Sequence, residues 1–135
     1  MKKQIVSTVA RLLLGTIFTF AGLNGLVLVI GFEPVGPTSL HVPLMQQLVN
    51  TAIIFIPLKL AETTAGLLLL SNRLVPLALL LLTPIALGIL TFHLVADRAQ
   101  LLNGIVVVGL LAVLLVQNRK NIKNLFRRKA VQQAY

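Results

Sequence analysis

Three ionisable side chains lie inside segments that are otherwise apolar enough to cross a membrane. Lys59 and Glu62 are in the apolar segment 52–71, and His93 is in the segment 74–96. A charge at the centre of a membrane-spanning helix costs about 2.5–3.5 kcal/mol on insertion scales, so such residues usually pair and face the bundle interior. Lys59 or His93 can donate a hydrogen bond to a carbonyl group, and Glu62 can hold a cation or relay a proton.

The spacing of these residues predicts one polar cluster. Lys59 and Glu62 are three apart and therefore share one face of a helix. With the second spanning helix entering from the outer side, His93 on the next, antiparallel helix and Asn24 on the first helix reach a similar depth. We predict an intramembrane cluster of Asn24, Lys59, Glu62 and His93 that opens toward the outer side.

The cluster has two interpretations that the sequence leaves open. In one, it is a pocket for a ligand, a quinone or a proton. In the other, Lys59 and Glu62 neutralise each other, and the remaining polar groups hold the helices together at about 0.6 kcal/mol each. Glu33 and His41 lie in the loop above. Since His41 and His93 lack a helical pair spacing, we predict no metal site, and no catalytic triad is evident.

Composition places the chain in a membrane. It has 135 residues, of which 57% are hydrophobic and 11% charged, whereas soluble domains carry about 25% charged residues. The segments 12–32, 74–96 and 101–117 contain no Asp, Glu, Lys or Arg. We predict helices over 5–30, 50–70, 74–96 and 101–116, since apolar spans of about 20 residues match a hydrocarbon core of about 30 Å. The first apolar run is too long for a signal-peptide core, so we expect a retained helix.

The fold class predicted is therefore all-α, an integral membrane four-helix bundle. The short connections at 71–73 and 97–100 make helices two, three and four antiparallel neighbours. A short amphipathic segment over 44–49 precedes helix two and suits the outer interface. Ala21 and Gly25 form a small-residue face for close helix approach. Pro84 and Gly88 indicate a bend or a tight helix contact.

The distribution of charge predicts the topology. The net charge is +9, and basic residues gather before the first span, in the 71–73 connection and after the last span, whereas 33–51 has no Lys or Arg. By the positive-inside rule, both termini are cytoplasmic. Because the charge flanks membrane spans, we predict no nucleic-acid partner. The residues expected at the lipid interface are Arg11, Arg119, Lys120, Lys123, Arg127, Arg128 and Lys129.

The tail forms a second unit, 119–135, after a membrane domain of 1–118. Its apolar residues Ile122, Leu125 and Phe126 share one side, which predicts a helix lying on anionic lipid. Docking to a cytoplasmic partner is the alternative. The chain has no cysteine, so redox chemistry would require a bound cofactor or a partner.

Several motifs resemble the DoxX-like family of small bacterial membrane proteins. They are RLLLG (11–15), FAGLNG (20–25), PLKLAE (57–62), GLLLL (66–70), RLVPLALL (73–80) and FHL (92–94). The family-like polar positions are Arg11, Asn24, Lys59, Glu62 and His93. The family pattern often has an asparagine near position 88, where this chain has Gly88.

The resemblance implies a four-helix bundle in the bacterial inner membrane. The family takes its name from a small subunit of a thiosulfate:quinone oxidoreductase, and other relatives are placed with redox or detoxification systems. It therefore implies a binder of a small hydrophobic or quinone-like molecule, or a non-catalytic membrane subunit of a redox complex. The alternative is an anchoring partner, or a homo-oligomer, with no chemistry of its own.

Overall fold

The structure is a computed structural model that describes residues 2–36 and 42–134, with side chains described as far as Arg127. His41, expected in the loop above the cluster, lies outside the described residues. A short 3-10 turn at Arg98–Gln100 precedes the fifth helix. The helices are α1 (Lys2–Val29), α2 (Pro43–Asn50), α3 (Ala52–Leu70), α4 (Val75–Val95), α5 (Leu101–Gln117) and α6 (Arg119–Ala134).

Within the described residues, four helical stretches are long and apolar enough to cross a membrane, as many as the sequence predicts. They are Lys2–Val29, Ala52–Leu70, Val75–Val95 and Arg98–Gln117. At a rise of 1.5 Å per residue, about 20 residues match a hydrocarbon core of about 30 Å. By length and composition, these helices suggest a membrane protein.

These helices form the predicted all-helical bundle. α1 packs along α3, α3 on α4, α4 on α5 and α5 on α1, so the four close into a ring. Asn72 and Leu74 adopt the left-handed conformation, with φ of 57° and 48°, and reverse the chain between α3 and α4. We call the end with the 71–74 turn the terminal end, because α1 begins there and α5 ends there. The opposite end is the loop end.

The inside of the ring is filled by large apolar side chains. The fully buried large side chains of this core are Leu14, Phe18, Leu69, Leu79, Leu82 and Leu114. Many other apolar side chains point outward, including Ile53, which is 85% exposed, and Leu102, which is 71% exposed. Soluble monomers rarely expose so much continuous apolar surface, but lipid covers it in a membrane.

The structure refines two packing predictions. On α1 the predicted close approach at Gly25 is confirmed and extends to Gly15 and Gly22, whereas Ala21 is half-buried. Glycine at these positions lets the helix backbones approach, as in membrane helix pairs generally. Gly88 makes no tight helix contact, because a β-carbon there would meet nothing within 4 Å.

Two boundaries also differ from the sequence-based ones. The amphipathic segment is a separate helix, α2, that ends at Asn50 and packs on α3. Thr51 separates the two helices, so the second span begins at Ala52 rather than at residue 50. The tail helix α6 spans Arg119–Ala134, within the predicted tail unit of 119–135.

Candidate functional site

The centre of the site is an ion pair within α3. Lys59 Nζ lies 3.0 Å from Glu62 Oε2, one helical turn away. The Glu62 side chain is 3% exposed, whereas that of Lys59 is 15% exposed. The carboxylate is therefore enclosed by protein, while part of the lysine reaches the surface of the bundle.

The surroundings of Lys59 fix where its ammonium lies. Nζ is 5.3 Å from the centroid of the Phe55 ring, a distance suited to a cation–π contact. The Thr63 hydroxyl donates a hydrogen bond of 2.8 Å to the Lys59 carbonyl. An ammonium carries three N–H donors. Among the described residues, Glu62 is its one hydrogen-bond acceptor, so the ammonium retains donor capacity.

Asn24 makes a different set of contacts from the one predicted. Its side-chain Nδ2 donates to the Val35 carbonyl at 3.0 Å, and its Oδ1 accepts from the Val35 N–H at 2.7 Å. The amide thus ties the end of α1 to the backbone of the following loop. Between α1 and Val35 the chain passes through Gly31, whose positive φ of +93° is a conformation that favours glycine.

His93 is buried on another pair of helices. Its ring stands edge-on to Phe92, with centroids 5.5 Å apart, and it packs where Gly104 of α5 has no side chain. Its Nδ1 is buried and has no hydrogen-bond partner among the described residues. Measured along the helices from the 71–74 turn, the Glu62 α-carbon lies about 12 Å away and that of His93 about 27 Å away. His93 therefore lies nearer the loop end than the ion pair.

The structure adds one buried acid that the sequence reasoning did not include in the cluster. Asp97 is 4% exposed and follows the end of α4. Charged residues are rarely buried without a partner, and Asp97 does have an interaction. Its position four residues after His93 was the available signal, since residues four apart in a helix lie on one face.

Arg11 contacts the protein itself. Its Nη1 donates to the carbonyl oxygens of Leu69 and Leu70, the latter at 3.4 Å. These carbonyls are at the end of α3, where helix oxygens lack intrahelical donors and the helix dipole favours a cation. Arg11 thereby joins α1 to the terminal end of α3.

The remaining predicted interface residues lie on α6. Arg119, Lys120, Lys123 and Arg127 are all exposed. Arg128 and Lys129 are in the helix, but their side chains lie outside what the structure describes. The chain's acids are Glu33, Glu62 and Asp97. None of these lies at the terminal end, so the basic side chains described there have no Asp or Glu side chain to pair with.

The chemistry available at the ion pair is hydrogen bonding and charge, without an evident nucleophile. The described residues contain no group of three His, Asp or Glu arranged to hold a metal ion. A surface depression near the start of α1 is lined by Gln4, Ile5, Thr8 and Val9. Because the Lys59 side chain is 15% exposed, a ligand at its ammonium would lie at the outer surface of the bundle.

Comparisons with protein families, with curated proteins and with solved structures give no match to this chain. The resemblance to DoxX-like proteins therefore depends on the motifs quoted above. The site has to be interpreted from its own geometry.

Proposed function

We propose that this chain is a DoxX-like, multi-pass protein of a bacterial inner membrane that binds a small hydrophobic molecule bearing a carbonyl group, such as a quinone, at Lys59. The observation that supports this is the asymmetric burial of the ion pair. Glu62 is enclosed, but Lys59 is partly exposed within a membrane span and has donors to offer. Hydrogen bonds to a charged donor contribute about 1.5–3 kcal/mol.

The roles of the two residues differ in this proposal. Lys59 donates to the ligand carbonyl, and Glu62 holds the ammonium in place and balances its charge. Phe55 supplies the apolar wall on the loop side of the ammonium. Because the chain has no cysteine, electron transfer would require a bound cofactor or a partner, and in this proposal the protein acts as a binder or as a subunit of a redox complex.

The experiment for this proposal is native mass spectrometry of the protein purified in mild detergent. We expect a retained molecule of quinone or lipid mass in the wild type and its loss in Lys59→Met. Leu60→Met is the matched control, since Leu60 is the adjacent, exposed residue on the same helix. Retention that is identical in all three proteins would contradict a site at Lys59.

A structural role is the second candidate, and a specific observation favours it. Asn24 and Arg11 each bind the backbone of another element, Val35 in one case and the end of α3 in the other. These polar groups thus hold the bundle together, as expected of an anchoring subunit. In the same experiment, a second protein chain at fixed stoichiometry, with no small molecule, would support this role.

The proposed topology places the terminal end in the cytoplasm. It is supported by the basic residues at that end and by the absence of Lys and Arg from 33–51. Glu33→Cys and Lys120→Cys, each introduced alone into this cysteine-free chain, would test the topology. An impermeant thiol reagent added to intact cells should label position 33 and not position 120, and the reverse pattern would contradict it.

A further inference from the structure

The three glycines of α1 that face α3 differ in what a side chain would meet. At Gly22, a β-carbon would overlap the Thr63 hydroxyl and lie 2.7 Å from the Thr63 backbone nitrogen. At Gly15, it would lie 3.0 Å from the Gly66 carbonyl oxygen. At both positions the close atoms include backbone atoms of α3, which cannot swing aside, so a side chain there would press the two helices apart.

Gly25 meets a different obstacle, the side chain of Lys59. A β-carbon at Gly25 would lie 2.8 Å from Lys59 Cγ, 2.5 Å from Cδ and 2.7 Å from Cε. Ordinary van der Waals contact begins near 3.4 Å. The lysine chain therefore lies in the volume that a methyl group at position 25 would fill.

We infer that Gly25 is the positioning residue for Lys59, an inference that rests on the proposed binding site and names what orients it. Because the lysine chain is flexible and the α1 backbone is not, an added methyl group would displace the lysine rather than the helix. The ammonium would then leave its 3.0 Å contact with Glu62 and its position over the Phe55 ring. The residue at position 25 thus sets the direction in which Lys59 presents its free donors.

The first test measures the reactivity of Lys59 itself. The folded protein in detergent is treated with a membrane-permeant amine reagent, and labelling at Lys59 is quantified by peptide mass spectrometry. We expect a several-fold rise in Gly25→Ala, because the ammonium loses its partner. Gly88→Ala and Gly109→Ala are the controls, since a β-carbon at either site meets nothing within 4 Å, and they should match the wild type.

Gly22→Ala distinguishes positioning from general loosening of the helix pair. It disturbs the same interface through the backbone, so it should lower the melting temperature. For each degree of melting temperature lost, Lys59 labelling should rise less in Gly22→Ala than in Gly25→Ala. An equal rise per degree in the two variants would overturn the inference.

The second test removes the obstacle. In a Lys59→Ala background no Cγ, Cδ or Cε remains to collide, so Gly25→Ala should leave the melting temperature unchanged or raise it. In the wild-type background, Gly25→Ala should lower the melting temperature. A loss of the same size in both backgrounds would show that Gly25 acts on the helices and not on Lys59.

Neither test uses a ligand, so the two claims can fail separately. If Gly25→Ala frees Lys59 as expected but the wild type retains no small molecule, the positioning role stands and the binding function fails. If the wild type retains a molecule in a Lys59-dependent way while Gly25→Ala retains it equally and leaves labelling unchanged, the positioning role fails instead.

Discussion

Glu62 is more deeply enclosed than Lys59, although the two side chains meet at 3.0 Å within one turn of α3. The pair is therefore not symmetric. Removing Lys59 would leave an enclosed carboxylate with no cation beside it, whereas removing Glu62 would leave an ammonium that already reaches the surface of the bundle.

This asymmetry predicts unequal effects of two single substitutions. Breaking a buried ion pair costs about 3–5 kcal/mol in soluble proteins, and we expect less in a membrane. Lys59→Met should lower the melting temperature in detergent more than Glu62→Gln does, and the double variant should be more stable than Lys59→Met alone. Leu60→Met serves as the control. If neither single substitution changed the melting temperature, the ion pair would contribute nothing to the stability of the fold.

Asn24 gives a prediction for the loop. Asn24→Leu keeps a similar volume but removes both hydrogen bonds to Val35, each worth about 1 kcal/mol. Amide hydrogen exchange at Val35 should therefore become faster while exchange in α4 and α5 stays the same. Asn103→Leu is a suitable control, because Asn103 is exposed and its side chain makes only a 3.4 Å contact with Gln100. Unchanged exchange at Val35 would contradict the assigned role.

His93 belongs to the contact between α4 and α5 and not to the ion pair. Its ring packs against Phe92 and beside Gly104, well toward the loop end from Glu62. We expect His93→Gln to leave retention of a Lys59-dependent ligand unchanged in native mass spectrometry. Loss of the ligand with stability intact would instead place His93 in the binding site.

The basic tail gives a prediction about lipid. Each basic residue near an anionic surface contributes about 1 kcal/mol of attraction. In nanodiscs, adding phosphatidylglycerol to phosphatidylcholine should raise the melting temperature of the wild type. The rise should shrink when Arg119, Lys120, Lys123 and Arg127 are changed to Gln, and also at high salt. Arg98→Gln, at the loop end, should keep the full rise. An equal rise in the tail variant would show that the tail does not contact lipid.

The helices and the ion pair could be predicted from the sequence because both depend on local spacing. Apolar runs of about 20 residues define the spans, and Lys59 and Glu62 are held together by helix geometry alone. Nothing in the spacing indicates which way a helix is rotated within the bundle. For this reason the sequence grouped His93 with the pair, whereas the structure packs it against α5.

The remaining differences come from contacts between distant parts of the chain. Asn24 reaches Val35 only because the loop folds back over the end of α1, and no local pattern indicates that. Arg11 is expected at the lipid interface from the sequence, and its hydrogen bonds to the carbonyl oxygens at the end of α3 depend on how α1 packs on α3. The packing of Lys59 against Gly25 likewise depends on the register between α1 and α3, which composition and periodicity do not specify.

The most direct test of the central claim is a binding titration with a short-chain, water-soluble quinone. The protein is reconstituted in nanodiscs as wild type, Lys59→Met and Leu60→Met, and empty nanodiscs measure partitioning into lipid. We predict saturable binding to one site per chain in the wild type and in Leu60→Met, and only partitioning in Lys59→Met. Saturable binding of equal strength in all three proteins, or partitioning alone in the wild type, would contradict a ligand site at Lys59.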